Sequence, residues 1–487
     1  MKRFKKVLIL LGVVAAVCIA TVIVTQIEEK KELIHNTDEV ILSVNPETVT
    51  SLSWEYGDTS LAFSRSDVWQ WEEDAAFPVD EEKIGNLLGI FEDFGAAFII
   101  EDVEDFGQYG LDDPACTIRL ASGEESYEVV LGAYSTMDAQ RYVSIGDGNV
   151  YLVKNDPFDA YEIELSDTIL HDETPSFDKL NAITFAGAEN YSIRYEEDST
   201  ATYCPSDLYF TQKDGKTAPL DTYRVEDYCA DISLLNLTNY VSYNVTEEEL
   251  TAWGLDNPTL SVTVDYTVID DDENETPESF VLHVGRNQEE LAAKEEAEAA
   301  AKAAEEAGEE PETDPDTLTV TSYARVGESQ IVYEISETDY NVLTAAAYND
   351  LRHTEVLTAD FADITRIDIT LEGNNYSVTS EIPEDAEDTE EPERVYFFDD
   401  EELDITNLRS KMNALTVNSF TADAPEDKEE ISLTFYLDYE NYPQVKVALY
   451  RFDGTNCLAV VDGETLGLVS RSSVVNLIEA VNGIVLG

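Results

Sequence analysis

The sequence predicts an α+β fold: one N-terminal transmembrane helix, then tandem repeats of mostly antiparallel sheet with packed helices. Three observations predict it. An uncharged stretch of 21 residues follows a basic N-terminus, an alternating strand–turn–strand pattern occurs three times, and an amphipathic helical stripe follows each occurrence. The 487 residues are 43% hydrophobic and 10% aromatic, enough for packed cores. Against 29 Lys and Arg stand 103 Asp and Glu, a net charge of −74, which repels phosphate backbones and excludes nucleic acid as a natural ligand.

Residues 1–45 read as a cytoplasmic basic stub, a membrane helix and a linker. Lys2, Arg3, Lys5 and Lys6 precede the apolar run Val7–Ile27, and Glu28 and Glu29 close it. At about 1.5 Å per residue, residues 7–27 match a hydrocarbon core of about 30 Å. The leading basic residues place the N-terminus in the cytoplasm and the bulk of the chain outside it, at a bacterial cell membrane. A cleaved signal peptide fits less well, because its apolar core runs only about 7–15 residues. A lipoprotein site at Cys18 fits poorly, since Val17 precedes it and apolar chain continues beyond.

Three repeat units follow, at residues 46–176, 177–360 and 361–487. Their first strands are Val49–Trp54, Leu180–Phe185 and Ile364–Ile369, each paired across a polar turn with Ser60–Phe63, Tyr191–Tyr195 or Tyr376–Thr379. A third strand and a helix come next. Asp80 and Asp221 stand where N-caps belong, and Asp404 precedes the third stripe. The stripes behind them are Ile84, Leu87, Leu88 and Phe91; Val225, Tyr228, Ile232 and Leu235; and Ile405, Leu408, Met412 and Leu415.

The first two units share a sharper motif. Tyr109-Gly110-Leu111-Asp112-Asp113-Pro114 matches Trp253-Gly254-Leu255-Asp256-Asn257-Pro258. Asp102 and Thr246 precede the aromatic residue by seven positions, as caps of a short helix, and Thr246 with Glu249 makes a capping box. The glycine suits the left-handed end of that helix, and the Asx-Pro pair turns the chain into the next strand. The third unit lacks the motif. Residues 420–430 stand there instead, so this copy reads as a degenerate terminal repeat.

These motifs, with the Trp69-Gln70-Trp71 strand running to Phe77-Pro78-Val79-Asp80 and its helix, resemble the domain-of-unknown-function family DUF4340. The resemblance is best over residues 46–176 and 177–360. It implies a bacterial envelope protein with an N-terminal membrane segment, of a kind often encoded beside ABC-transporter subunits of the gliding-motility or auxiliary type. The implied role is accessory, the implied partners are ABC permease and ATPase subunits, and the family has no catalytic residues to carry over.

Chemistry is otherwise sparse. The second unit carries an Ala/Glu-rich insertion, residues 286–317, that reads as a solvated helical arm without a heptad seam. The acidic runs Asp270–Glu278, Glu381–Glu393 and Asp423–Glu430 read as solvated hairpin tips; none forms a D-x-[DN]-x-[DN]-G calcium loop. Divalent cations are therefore expected only as diffuse screening. Of four histidines, His35, His171 and His353 precede repeat units and read as linker polarity, and His283 lies elsewhere. No H-E-x-x-H, G-x-S-x-G, Walker or C-x-x-C motif occurs. Trp69 and Trp71 read as core, and Cys204 and Cys229 share a unit and could pair. No residue is assigned as catalytic, cofactor-binding or metal-ligating, and no cofactor is expected. The expected function is that of a non-enzymatic, membrane-anchored extracytoplasmic accessory protein. The alternative is an envelope scaffold or a binder of solute or wall polymer, and a wall-acting hydrolase ranks last.

Overall fold

The computed structural model describes residues 33–36, 38–308, 310–311, 313–383, 393–426 and 428–486. The chain divides into two compact units, one ending at His171 and the other beginning at Asp172. Antiparallel sheet dominates both.

The first unit holds one ten-stranded sheet built from β1 (Leu33–Asn36), β2 (Val40–Leu42), β3 (Ser51–Tyr56), β4 (Thr59–Arg65), β5 (Trp69–Trp71), β6 (Phe94–Glu101), β7 (Cys116–Ser122), β8 (Glu125–Ser135), β9 (Gln140–Ser144) and β10 (Val150–Val153). Its order is β1-β6-β10-β9-β8-β7-β3-β4-β5, with β2 paired to β6. The second unit holds two nine-stranded sheets. One comprises β11 (Lys179–Gly187), β12 (Tyr191–Tyr195), β13 (Tyr209–Lys213), β14 (Lys216–Pro219), β15 (Tyr240–Ser242), β16 (Leu260–Ile269), β17 (Glu275–Arg286), β18 (Ser322–Val326) and β19 (Val332–Ile335), in the order β14-β13-β12-β11-β16-β17-β18-β19-β15. The other comprises β20 (Ile364–Leu371), β21 (Asn374–Glu381), β22 (Val395–Phe398), β23 (Glu401–Leu403), β24 (Val417–Phe420), β25 (Glu429–Leu437), β26 (Gln444–Arg451), β27 (Asn456–Val461) and β28 (Glu464–Ser470), in the order β23-β22-β21-β20-β25-β26-β27-β28-β24. The last two orders are identical strand for strand. The first sheet follows the same path without a counterpart of β14 and adds β1 and β2 at its other edge.

In each copy one strand (β6, β15 or β24) crosses over to pair beside the last strand, and the helix before it covers a sheet face. In the first, α1 (Glu81–Gly89) starts at Asp80, whose carboxylate accepts the Lys83 N–H at 3.0 Å, and buries Ile84, Leu87 and Leu88. Short α2 (Phe158–Tyr161) packs Tyr161 beneath it, with the phenol donating to Leu87 O at 2.9 Å. In the second, α3 (Thr222–Ser233) is capped by Asp221 and buries Val225, Tyr228 and Ile232. Two further helices, α4 (Glu247–Ala252) and α5 (Gln288–Ala307), precede α6 (Glu337–Thr344) and α7 (Tyr348–Leu351). In the third, Asp404 accepts the Thr406 N–H at 2.9 Å at the start of α8 (Thr406–Asn413). The closing α9 (Arg471–Val485) buries Val474, Leu477, Ala480 and Val481. Each such Val, Leu or Ile side chain contributes about 1.5–3 kcal/mol on burial.

Two parts of the expected fold class are corrected. Helices are few beside the sheets, because the segments around the shared motif extend into long strands; β8, β16 and β17 run for 11, 10 and 12 residues. No described helix is long and apolar enough to cross a membrane. Residues 7–27, where the membrane helix was expected, lie outside the described residues, so the described fold starts without an N-terminal transmembrane helix. Asp102 is a smaller correction. It sits at φ 55° and caps nothing, while a 3-10 turn, Gly107–Tyr109, replaces the expected short helix. Thr246 does cap α4, and its box with Glu249 is complete.

The motif has a mechanical role that its spacing does not reveal. Gly110 and Gly254 take the left-handed conformation at φ 72° and 66°. Their turns press edge-on against glycines of the neighbouring strands, Gly132 in β8 and Gly285 in β17. A Cβ on Gly285 would lie 2.5 Å from Trp253 O and 2.7 Å from Gly254 O, and one on Gly132 would collide with Tyr109 O. The third sheet has Ala448 and no glycine in its counterpart strand β26, and the sequence of the third unit lacks the aromatic-Gly-Leu motif. Gly285→Ala should therefore destabilise the second unit by about 1–3 kcal/mol through overpacking. Gly454→Ala, with nothing within 4 Å of its Cβ, serves as the control. Equal unfolding midpoints in denaturant titrations of the two variants would refute the clamp.

Candidate functional site

A grouping of ionisable side chains, part of it buried, lies where the two sheets of the second unit meet. The loop between β12 and β13 supplies Cys204 and Asp207. Thr202 fixes both: its hydroxyl donates to Asp207 Oδ2 at 2.5 Å and accepts the Cys204 N–H at 2.9 Å. The Asp207 N–H closes a turn onto Cys204 O at 3.1 Å. Only 1% of the Asp207 side chain is exposed. A charge so buried requires a partner.

The partner comes from the strap between the two sheets. Residues 353–357 are pinned on both sides. Asp221 N–H donates to Leu351 O at 3.0 Å, and the Arg224 guanidinium reaches Asp350 O and Thr354 Oγ1. On the other side Val417 N–H donates to Thr354 O at 2.7 Å, and Val356 N–H to Leu415 O at 3.1 Å. His353 is thereby aimed at Asp207, with Nε2 at 2.7 Å from Oδ1. Its Nδ1 faces Glu355 Oε2 at 3.8 Å and Asp221 Oδ2 at 4.0 Å, distances of ion pairs rather than formed hydrogen bonds. Asp221 is itself held by Arg224 Nε at 3.4 Å.

Carboxylates thus face both ring nitrogens. Burial opposes charging of the His353 ring. The hydrogen bond to Asp207, the nearby Glu355 carboxylate, and the fields of Asp207 and Asp221 outweigh it and raise the ring to about 9. The same ring holds the Glu355 carboxyl down at about 2 against the cost of its burial. At neutral pH the site is an imidazolium among three carboxylates with one guanidinium beside them. It can clasp two sheets, and its nitrogen, sulfur and oxygen donors are of the kinds that ligate transition metals.

Two hollows flank this junction. Cys204, Ser206, Asp360, Phe361 and Arg409 border one of about 510 Å³. The other, about 790 Å³, is a groove whose walls include Lys213, Lys216, Tyr348, Arg352 and Phe420. Arg352 lies between the rings of Tyr348 and Phe420, at 5.0 and 4.5 Å from their centroids, and Lys213 Nζ sits 4.8 Å from the Tyr348 centroid. Lys216 pairs with Glu464 across the same groove at 2.8 Å.

Other residues weighed from the sequence fall elsewhere. Trp69 is buried under the Arg65 guanidinium, and Trp71 packs edge-on against Phe77. Cys204 and Cys229 are both buried free thiols, unpaired with each other. His283 hydrogen-bonds Ser261 Oγ at 2.8 Å across β16 and β17, and burial lowers its pKa. The run at Asp270 is a hairpin tip closed by Asn274, whereas residues 384–392 of the next run lie outside the described residues. His353 is not mere linker polarity: the strap folds it into a part-buried ion pair with Asp207.

Residues 69–258 match the family described as Domain of unknown function (DUF4340). Over that stretch the chain resembles DUF4340. The match begins at the Trp69-Gln70-Trp71 strand and ends with Pro258 of the second motif, so it takes in both aromatic-Gly-Leu turns. It includes Cys204, Asp207 and Asp221 but stops short of His353 and Glu355. No curated protein and no solved structure matches the chain.

The junction has a pH signature. The ring's pKa is raised from 6.5 to about 9, so its stabilisation is complete below pH 6.5 and is lost as pH rises through 9. Glu355, lowered from 4.5 to about 2, contributes above pH 4.5 and ceases to as pH falls through 2. In chelator-treated buffer the unfolding midpoint of the wild-type chain should fall more between pH 6.5 and 9.5 than that of His353→Gln. The substitution itself should cost about 3–5 kcal/mol at pH 6, because it strands Asp207. Parallel pH curves for the two proteins would remove His353 from this role.

Proposed function

We propose that this protein is a non-enzymatic accessory component of a bacterial envelope complex, of the ABC-transporter type, that acts through protein–protein contacts outside the cytoplasm. The observation that carries this reading is α5. Twenty residues of helix stand with no side chain buried. Asn287 caps the first turn through Glu289 N and Glu290 N, and Gly308 ends the helix at φ 74°. Its base is tied down where Glu290 Oε2 accepts the Thr321 N–H at 2.7 Å, and it lies beside α4 and the turn Pro315–Thr317. A helix maintained largely by propensity and caps, with no residue in a core, suits a contact surface better than a packing element. The likeness to DUF4340 supports the same reading, since family members are expected at the envelope beside transporter genes.

A second reading, an envelope scaffold that binds solute or wall polymer, is favoured by the groove of Lys213, Tyr348, Arg352 and Phe420, where cations and rings line one hollow. The two are separable. Crosslinking of the tagged full-length chain in its native membranes, read by mass spectrometry, should enrich permease and ATPase subunits. Deleting residues 288–308 should reduce that enrichment at least several-fold while leaving the unfolding midpoint unchanged. Recovery of the chain alone, or with wall material, would replace the accessory reading with the scaffold. In intact cells whose outer barriers are permeabilised, protease should reach α5; protection of α5 would contradict the extracytoplasmic placement.

A further inference from the structure

We propose that Cys204, Asp207 and His353 form a binding site for one transition-metal cation of the Zn²⁺ class, which bridges the two sheets of the second unit. One ligand atom from each residue lies within 4.8 Å of the other two. Zinc bonds of about 2.0–2.3 Å place neighbouring ligands about 3.3–3.7 Å apart. The 2.7 Å separation of Asp207 Oδ1 and His353 Nε2 must therefore widen by roughly half an ångström as the proton between them leaves. Cys204 and Asp207 come from one turn of four residues that Thr202 already orders, and His353 comes from a strap pinned on both sides. Most of the ordering is thus in place before any ion arrives.

The donor set selects the metal. A thiolate and an imidazole disfavour Ca²⁺ and Mg²⁺, which prefer oxygen throughout, and suit Zn²⁺ or Co²⁺. Binding displaces the Cys204 thiol proton and the Nε2 proton to solvent, so the site exchanges protons for a cation without redox change. Asp207 supplies one oxygen, its other being held by Thr202. The fourth position is open to water from the hollow of about 510 Å³ that Cys204 and Ser206 line. Behind the ring, Glu355 Oε2 is buried without a hydrogen-bond partner, opposite Nδ1. A carboxylate there orients a ligating imidazole, an arrangement common behind metal-bound histidines. The other grouping on the same ring, Asp221 with Glu355 on the Nδ1 side, is the poorer site, because Arg224 Nε already stands 3.4 Å from Asp221 Oδ2.

With a surface of net charge −74, total bound metal would count loosely held ions as well. A thiolate-specific signal avoids this. The chelator-treated full-length protein, titrated with Co²⁺, should develop a sulfur-to-cobalt charge-transfer band in the near ultraviolet that saturates at one equivalent. Excess Zn²⁺ should bleach it. Cys204→Ser should abolish the band while remaining folded, and Cys229→Ser should keep it. His353→Gln should weaken Co²⁺ binding at least tenfold. A titration without a charge-transfer band, or a band that survives Cys204→Ser, would overturn the site.

Discussion

One carboxylate sets the terms at the junction of the second unit. Asp207 is buried where two sheets meet, and in that environment an ionised oxygen without a counter-charge costs several kcal/mol. The chain meets this constraint with His353, held 2.7 Å away by a strap that has its own backbone hydrogen bonds to both neighbouring elements. Everything nearby follows from that pairing. Asp221 caps α3 and faces the ring, Arg224 offsets Asp221, and Glu355 closes the far side. The pair is less a source of net stability than a device that makes one arrangement of the strap far better than any other.

The framework around it is repetition. Three sheets follow one strand path, and in the first two the aromatic-Gly turn presses on a glycine in the adjacent strand so closely that a single methyl group does not fit. The third sheet dispenses with this clamp. It instead brings β24 against Gly467 of β28, where a Cβ would lie 2.6 Å from Ser419 O. The same close backbone approach is thus placed differently, and this explains why the third copy looks degenerate in sequence while its strand order matches the second.

Local physics was legible in the sequence and long-range physics was not. The hairpins, the caps at Asp80, Asp221 and Thr246, and the left-handed glycines of the motif depend on residues within a few positions of one another. The extent of the sheets was less legible, since long strands such as β17 begin in polar sequence that reads as loop. The Asp102 cap failed because Asp105 takes the local role, accepting the Gly107 N–H at 3.0 Å. The junction was invisible for a plainer reason. Asp207 and His353 stand 146 residues apart, with no shared spacing to connect them. Asp221 could be read as a cap but not as a neighbour of His353. The one available signal was weak: a histidine directly before a repeat, in a chain with only four.

The central claim is that Asp207 and His353 act as one unit joining the two sheets. A double-mutant cycle measures it most directly. Asp207→Asn, His353→Gln and the pair would be compared by denaturant unfolding of the chelator-treated full-length chain at pH 6. Strong coupling, about 2 kcal/mol or more, with the double variant little worse than either single one, is the predicted result. Additive losses with coupling near zero would contradict it, and would leave the sheets held together by apolar packing alone.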